Sequence, residues 1–289
     1  MNSYSAAGDI PGVVEGPEPV SRIAGFLQAQ EPYCVAAAAR FLQWDPRQDQ
    51  IWSWYAEHER LAAVIILSKG TLFPVFAGMQ AIPLRDFAAQ GLRDLPIRAI
   101  QGIRRDVALL EDALAWGGTF PTGGSDYDLM TLDQEPVPVE IPRPLRLPGL
   151  ILRYPDPADT EALFHLQAAY ELEEVVPQGG SFNPAVCRLS IDHILAHEYL
   201  LLAQWKSQIL GKINTNAASF SRYQIGGVYV HPEYRRLGIA SAMAAAFVQD
   251  LRAFGRGLSL FVKKENPAAR EVYQRIGFER AADYRISYY

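Results

Sequence analysis

Gly227-Val228-Tyr229-Val230-His231-Pro232-Glu233-Tyr234-Arg235-Arg236-Leu237-Gly238-Ile239-Ala240-Ser241 reads as a strand that passes through a short loop into a helix. β-branched and aromatic residues up to Val230 make the strand. The helix follows because Ile239, Met243, Phe247 and Leu251 recur at helical spacing. Such a junction lets several backbone amides point at a common centre, where the helix dipole also favours negative charge. Gly238 removes the Cβ that would block close approach, Ala240 keeps the first turn slim, and Arg235 and Arg236 add positive charge. A pyrophosphate suits that cradle. These residues alone leave open an ordinary strand-loop-helix with a glycine at its corner.

A second segment lies downstream, where Ser259-Leu260-Phe261-Val262 leads into Lys263-Lys264-Glu265-Asn266-Pro267-Ala268-Ala269-Arg270-Glu271-Val272-Tyr273-Gln274-Arg275-Ile276-Gly277-Phe278. With it, residues of roughly 150–289 resemble the GNAT superfamily of N-acetyltransferases. That family's cofactor loop has Arg or Gln, two residues, Gly, one residue, then Gly or Ala, matched by Arg235 to Ala240. Its later motif, an Asn-x-x-Ala helix ending in Tyr-x-x-x-Gly-Phe, is matched by Asn266 to Phe278.

The resemblance implies an acetyl-coenzyme A site. The pantetheine arm would run along the backbone of Val228, Tyr229 and Val230 between two splayed strands. The loop Arg235, Arg236, Leu237, Gly238, Ile239, Ala240 and Ser241 would hold the phosphates, with Asn266 capping its helix and lining the site. It also implies direct attack of a neutral amine on the thioester, an oxyanion held by a backbone amide beside Val230, and Tyr273 as proton donor to the departing thiol. Half-buried packing is the plainer reading of Tyr273.

The general base is less clear. Some members carry a Glu where Gln224 stands, and an amide takes up no proton. Glu171, Glu173 and Glu174 cluster at the end of a helix, where neighbouring carboxylates raise one another's pKa, which makes Glu173 and Glu174 catalytic candidates. A solvated, charged helix end is the plainer alternative, and an ordered water could serve as base. His231, directly before Pro232, reads as a loop residue.

Outward from the motif the elements follow a regular order. Ile151 to Tyr154 is a short strand, and Asp156-Pro157 and Asn183-Pro184 each give a helix start, with an N-cap residue ahead of proline. Glu198 to Trp205 and Ile209 to Thr215 form a hairpin, and two strand segments close the chain through Tyr284 to Tyr289. The expected class is α/β with two domains. The C-terminal one is a mixed, splayed β-sheet flanked by helices in the order β-α-α-β-β-β-α-β-α-β-β. The N-terminal one is smaller.

In the N-terminal part, Ser21 to Gln43 predicts one or two helices broken near Glu31-Pro32. Ile51 to Tyr55 and Leu61 to Ser68 predict a hairpin, followed by a strand near Ile97 to Gln101, a helix from Arg105 to Ala115 and a strand from Tyr127 to Leu132. Pro136, Pro138, Pro142, Pro144 and Pro148 exclude helix and central strand between them. The expected division is a flexible start at 1–20, an N-terminal domain at 21–134, a linker at 135–148 and the acetyltransferase domain at 149–289. The hairpin at Ile51 to Ser68 is similar to that at Glu198 to Thr215, which suggests a degenerate GNAT-like companion. Gln101 to Asp106 lacks the loop spacing, so this companion is expected to bind no cofactor. Trp52, Trp54 and Tyr55 are expected to be strand packing rather than an acceptor site.

The 289 residues carry 49% hydrophobic side chains and a net charge of −5, with no basic block for a nucleic-acid backbone. No apolar run approaches the ~20 residues that span a bilayer. Cys34 and Cys187, the chain's 2 cysteines, suggest buried free thiols in a reducing compartment and no metal site. A soluble, cytoplasmic, bacterial enzyme is expected, with a small-molecule or protein amine as acceptor and a homodimer compatible with the sequence. A non-catalytic module that keeps acyl-coenzyme A as a regulatory ligand is the alternative.

Overall fold

The protein is described by a computed structural model covering residues 20–55, 60–78, 84–134, 147–176 and 180–289. The expected flexible start, the turn of the first hairpin and most of the proline-rich stretch at 135–148 lie outside the described residues. In chain order the elements are α1 Val20–Ala29, α2 Glu31–Leu42, β1 Gln50–Tyr55, β2 Leu61–Ser68, β3 Thr71–Phe76, α3 Leu84–Gly91, β4 Ala99–Ile103, α4 Arg104–Trp116 and β5 Gly123–Leu132. Then come β6 Ile151–Arg153, α5 Thr160–Tyr170, α6 Pro184–His197, β7 Leu200–Trp205, β8 Gln208–Ala218, β9 Arg222–Val230, α7 Ile239–Arg252, β10 Gly257–Lys263, α8 Pro267–Ile276 and β11 Glu279–Tyr288. They group into two compact units, one of described residues up to Leu129 with Ala281–Tyr289, the other from Met130 to Arg280.

In the second unit the strands lie in the order β6-β7-β8-β9-β10, antiparallel except for the parallel pair β9 and β10. Strand β7 shows why this sheet is covered on both faces. Leu200 and Leu202 join the cluster of Leu163, Cys187 and Ile191 from α5 and α6, whereas Leu201 and Ala203 join Met243, Phe247 and Leu251 of α7 with Tyr273 and Ile276 of α8. Alternation with period two thus feeds two cores, and full burial of one leucine such as Leu202 contributes roughly 2 kcal/mol. The helix starts lie where their capping residues put them. Asp156 accepts from the Ala158 amide at 2.9 Å, Asn183 from that of Ala185 at 3.0 Å, and Asn266 from that of Ala269 at 3.0 Å.

The chain order of elements repeats. The series α1-α2-β1-β2-β3-α3-β4-α4-β5 matches α5-α6-β7-β8-β9-α7-β10-α8-β11 element for element. Pro32 lies in the first turn of α2, so the helical segment breaks at Gln30 as proline requires. The hairpin of β1 and β2 is antiparallel, with Trp54 opposite Ala63. Trp54 is buried and meets Phe87 of α3 edge-on at 4.9 Å, with Trp52 at 5.1 Å from the same ring. These aromatics are core packing.

Two elements here escaped the sequence reading, α3 and the strand β3, which contains Pro74. Strand β3 runs parallel to β4 only at Thr71↔Ala99 and Leu72↔Ile100, so Pro74 lies past the last pair with that neighbour. A missing amide is tolerated there. The two strand segments expected at the C-terminus form one continuous strand, β11, and Tyr284 to Tyr288 pair antiparallel with Ile103 to Ala99 of β4 in the first unit.

Candidate active site

Parallel pairing of β9 with β10 runs from Arg222↔Gly257 to Ile225↔Leu260. Beyond that last pair β9 continues to Val230 and β10 to Lys263, so the strands part into a cleft. The cause of the parting lies on the other edge of β9. Opposite β8 the register shifts between Lys212↔Tyr229 and Asn214↔Gly226, which sets Gly227 and Val228 against the single residue Ile213. This is a β-bulge, and it bends the strand that carries it. Only glycine fits at 227: φ is +56°, and a Cβ would meet Asn214 Oδ1 at 2.1 Å and Lys212 Nζ at 2.7 Å.

Past Val230 the chain makes a short turn at Pro232–Tyr234 and enters α7 at Gly238, whose φ of 85° is left-handed. Arg236 also has a positive φ, 61°. No side chain caps α7, and a Cβ placed on Gly238 would meet nothing within 4 Å. The first amides of this helix, at Ile239, Ala240 and Ser241, therefore face open space without a capping acceptor, as an anion cradle requires. This is the physical test that a pyrophosphate-bearing ligand has to meet, and the residues fit it.

On the opposite face of the sheet α5 ends in a wide turn, Glu171–Val175, closed by the Val176 amide on the Glu171 carbonyl at 2.8 Å. The turn carries both candidate carboxylates, and each meets a cation. Glu173 accepts from Arg235 at 2.7 Å and from the Tyr229 hydroxyl at 3.4 Å, and Glu174 pairs with Lys263 at 2.7 Å. The hydrogen bond from Arg235 holds the Glu173 carboxyl below the usual carboxylate range. The mutual raising expected of this acidic cluster is therefore reversed at Glu173, because a cation stands closer to it than sequence spacing could show. Arg235, expected to face phosphate, is also held by the Val230 carbonyl, which accepts from its Nε at 2.9 Å.

Tyr273 is buried in α8 among the core side chains, 5.9 Å between ring centroids from Phe278. Burial, and then Tyr170, push its hydroxyl pKa well up, so it stays protonated through the neutral range. Gln224 is buried, donates to Asn216 at 2.8 Å and leaves its own carbonyl oxygen without a partner. His231 is an exposed loop residue.

Sequence reasoning missed the buried polar cluster beneath the bulge. Lys212 is 2% exposed, donates to Asn214 Oδ1 at 2.8 Å and to the Gly227 carbonyl at 2.9 Å, and lies 4.7 Å from the centre of the Tyr170 ring. Burial lowers its pKa to about 7, against the opposing pull of Glu171 and Cys187. Both cysteines are buried free thiols, and no cluster of metal-ligating side chains occurs among the described residues. No helix among them is long and apolar enough to cross a membrane.

A parallel strand pair that opens toward an uncapped helix start can take an extended, phosphate-bearing ligand. Residues 162–278 match the family model described as Acetyltransferase (GNAT) family, whose members are acetyltransferases. No curated protein is similar to the chain in sequence. Solved structures similar in fold cover nearly the whole chain. A Drosophila protein is 13% identical with a TM-score of 0.65, covering 93% of this chain and 95% of its own. A GCN5-related N-acetyltransferase from Sphaerobacter thermophilus is 19% identical with a TM-score of 0.58, covering 94% and 93%. A tandem GNAT protein from the clavulanic acid biosynthesis pathway is 13% identical with a TM-score of 0.55, covering 96% of each chain.

Proposed function

We propose that the protein is an acetyl-coenzyme A-dependent N-acetyltransferase that passes the acetyl group to a primary amine. The observation that carries this reading is the cleft between β9 and β10 leading to the uncapped start of α7 at Gly238. The backbone of Val228, Tyr229 and Val230 would hold the pantetheine arm, and Arg235 to Ser241 the phosphates, with Asn266 at the rim. When bound, acetyl-coenzyme A supplies a thioester open to direct attack by a neutral amine. Tyr273 would supply the proton that the departing sulfur takes up as the N–C bond forms and the C–S bond breaks, and the proton lost by the amine would pass to solvent.

The acceptor is a primary amine of a small molecule or of a protein; Glu173 and Glu174, the carboxylates expected beside it, are each already paired with a cation, Arg235 and Lys263. Glu173, kept ionised by Arg235, is poorly suited to take up the proton of the amine. We take water as the proton acceptor instead.

We read the first unit as a companion domain of the same ancestry that binds no cofactor, joined to the catalytic part through 135–148. At the end of β3, Asp106 accepts from the Phe76 amide at 3.0 Å, and Arg105 donates to the Phe76 carbonyl at 2.8 Å. These side chains use the backbone groups that an extended ligand would need.

One observation favours the alternative of an acyl-coenzyme A-binding module without catalysis. Gln224, where some relatives have a Glu, is buried and takes up no proton. Incubation with acetyl-coenzyme A and a broad panel of small amines, peptides and protein extracts, with thiol release as the readout, decides between the two. Release above the blank with any amine supports the enzyme. Tight binding with no release across the panel supports the module.

A further inference from the structure

Arg222 and Gln224 of β9 and Ser259 of β10 lie on one face of the parallel pair, because Gln224 stands beside Ser259 and Arg222 is two residues before it. Their neighbours Tyr223, Ile225, Leu258 and Leu260 belong to the core under α7 and α8. The three polar side chains therefore face the side of α5 and α6, where Gly226 continues the row opposite Asn214, and Asn214 stands opposite Leu200. All three are buried, at 8%, 3% and 0% exposure. Among the described residues, Arg222 Nε and Nη1, Gln224 Oε1 and Ser259 Oγ are buried atoms without a hydrogen-bond partner. Buried polar groups are as a rule paired, since each one left unmade costs its desolvation. Such atoms gathered on two adjacent strands call for a ligand that supplies the partners.

The chemistry of that ligand follows from the set. Arg222 is already paired with Asp133, so its charge is balanced and gives neither a carboxylate nor an ammonium a strong hold. Arg222 offers donors, Gln224 an acceptor, and the Ser259 hydroxyl either. A ligand hydroxyl, which both donates and accepts, satisfies that mixture. The row also leads toward the cleft. Gln224 donates to Oδ1 of the exposed Asn216 at 2.8 Å, and a Cβ on Gly226 would collide with the Asn216 amide nitrogen. Gly226 is the first residue past Ile225↔Leu260, the last pair of β9 with β10.

We propose that this row is the body of the acceptor site, and that the acceptor is a small amine carrying hydroxyl groups, of the amino-alcohol or amino-sugar class. Its hydroxyls pair with Arg222, Gln224 and Ser259, and its amine points along β9 toward Val228. The inference rests on the acetyltransferase reading and adds a substrate class to it.

The test is thiol release from acetyl-coenzyme A by the full chain with amines matched in shape. The hydroxylated ring amine 2-aminocyclohexanol is expected to exceed cyclohexylamine in kcat/KM by at least about tenfold, and glucosamine to exceed both. Putrescine and alanine, which present a second ammonium and a carboxylate, are expected to fall below the hydroxylated amines. Gln224→Leu keeps the bulk of the side chain and removes its amide. It is expected to raise KM for 2-aminocyclohexanol and to shrink the ratio of the two ring amines by about fivefold or more. An unchanged ratio in the variant overturns the role of Gln224. Equal kcat/KM for the two ring amines in the wild type, or a preference for putrescine or alanine, overturns the hydroxyl-binding row and leaves the acetyltransferase reading standing. Release with other primary amines but with none of the hydroxylated ones does the same. No release with any amine overturns both.

Discussion

Arg235 donates to Glu173 at 2.7 Å through one nitrogen and to the Val230 carbonyl at 2.9 Å through another, so one guanidinium ties the turn after α5 to the end of β9. Both partners of the ion pair are 40% exposed, which puts its contribution to stability at roughly 0–1 kcal/mol. Its effect on ligand binding is larger in principle, because a carboxylate already occupies a cation of the proposed phosphate loop. Glu173→Gln is expected to raise affinity for acetyl-coenzyme A by about twofold to fivefold at low salt, an advantage that fades as salt screens the charge. Calorimetric titration checks this, and weaker binding by the variant would show that Glu173 organises Arg235 rather than competing for it.

Lys212 gives the protein a pH-dependent stability with a definite sign. Its folded pKa of about 7 lies below the ordinary value of 10.5, so between these limits the unfolded chain binds more protons than the folded one. Stability must then rise with pH across that window, and the charge penalty is fully present below neutrality. Melting temperatures measured from pH 7 to pH 9 are expected to rise more steeply in the wild type than in Lys212→Met. Parallel profiles would mean that the lysine titrates at its ordinary value.

Gly227 is fixed by two separate demands, a positive φ and the approach of Lys212 and Asn214. Gly227→Ala incurs left-handed strain of roughly 1–2 kcal/mol and forces both side chains aside at a further cost of about 1–3 kcal/mol. Denaturant unfolding should show a loss of roughly 2–5 kcal/mol. A loss below about 1 kcal/mol would mean that the bulge relaxes easily.

Tyr273→Phe keeps the ring that packs in the core and removes only the hydroxyl. With any amine that supports thiol release, turnover is expected to drop by about a hundredfold or more while acetyl-coenzyme A affinity stays nearly intact. An unchanged rate excludes Tyr273 as the proton donor.

The helices of the second unit were legible because their starts are written in short-range chemistry. Asp156, Asn183 and Asn266 each stand before a proline and each accept from the first-turn amides. The loop from β9 into α7 was legible for the same reason, since Gly238 and the apolar period of α7 are local signals. Strand β3 was not, because Pro74 speaks against a strand unless a neighbour has already diverged. Nor was the membership of Ala281–Tyr289 in the first unit, since a strand pattern does not say which sheet it joins.

Lys212 was hidden for a different reason. Ile209-Leu210-Gly211-Lys212-Ile213-Asn214 alternates like a strand with one wet face, and only α5 and α6, lying over that face, turn its polar residues inward. The acidic run Glu171 to Glu174 was visible, but the cations that neutralise Glu173 and Glu174 come from residues far along the chain, Arg235 and Lys263.

The central claim is that the start of α7 holds the phosphates of acetyl-coenzyme A, and the most direct measurement is the affinity of Gly238→Trp for that ligand. A Cβ at Gly238 meets nothing within 4 Å, so the indole would occupy the open space in front of the helix amides. By isothermal calorimetry the wild type should bind one acetyl-coenzyme A per chain, and the variant, folded by circular dichroism, should lose at least about a hundredfold in affinity. Equal affinity in the two proteins would contradict the account.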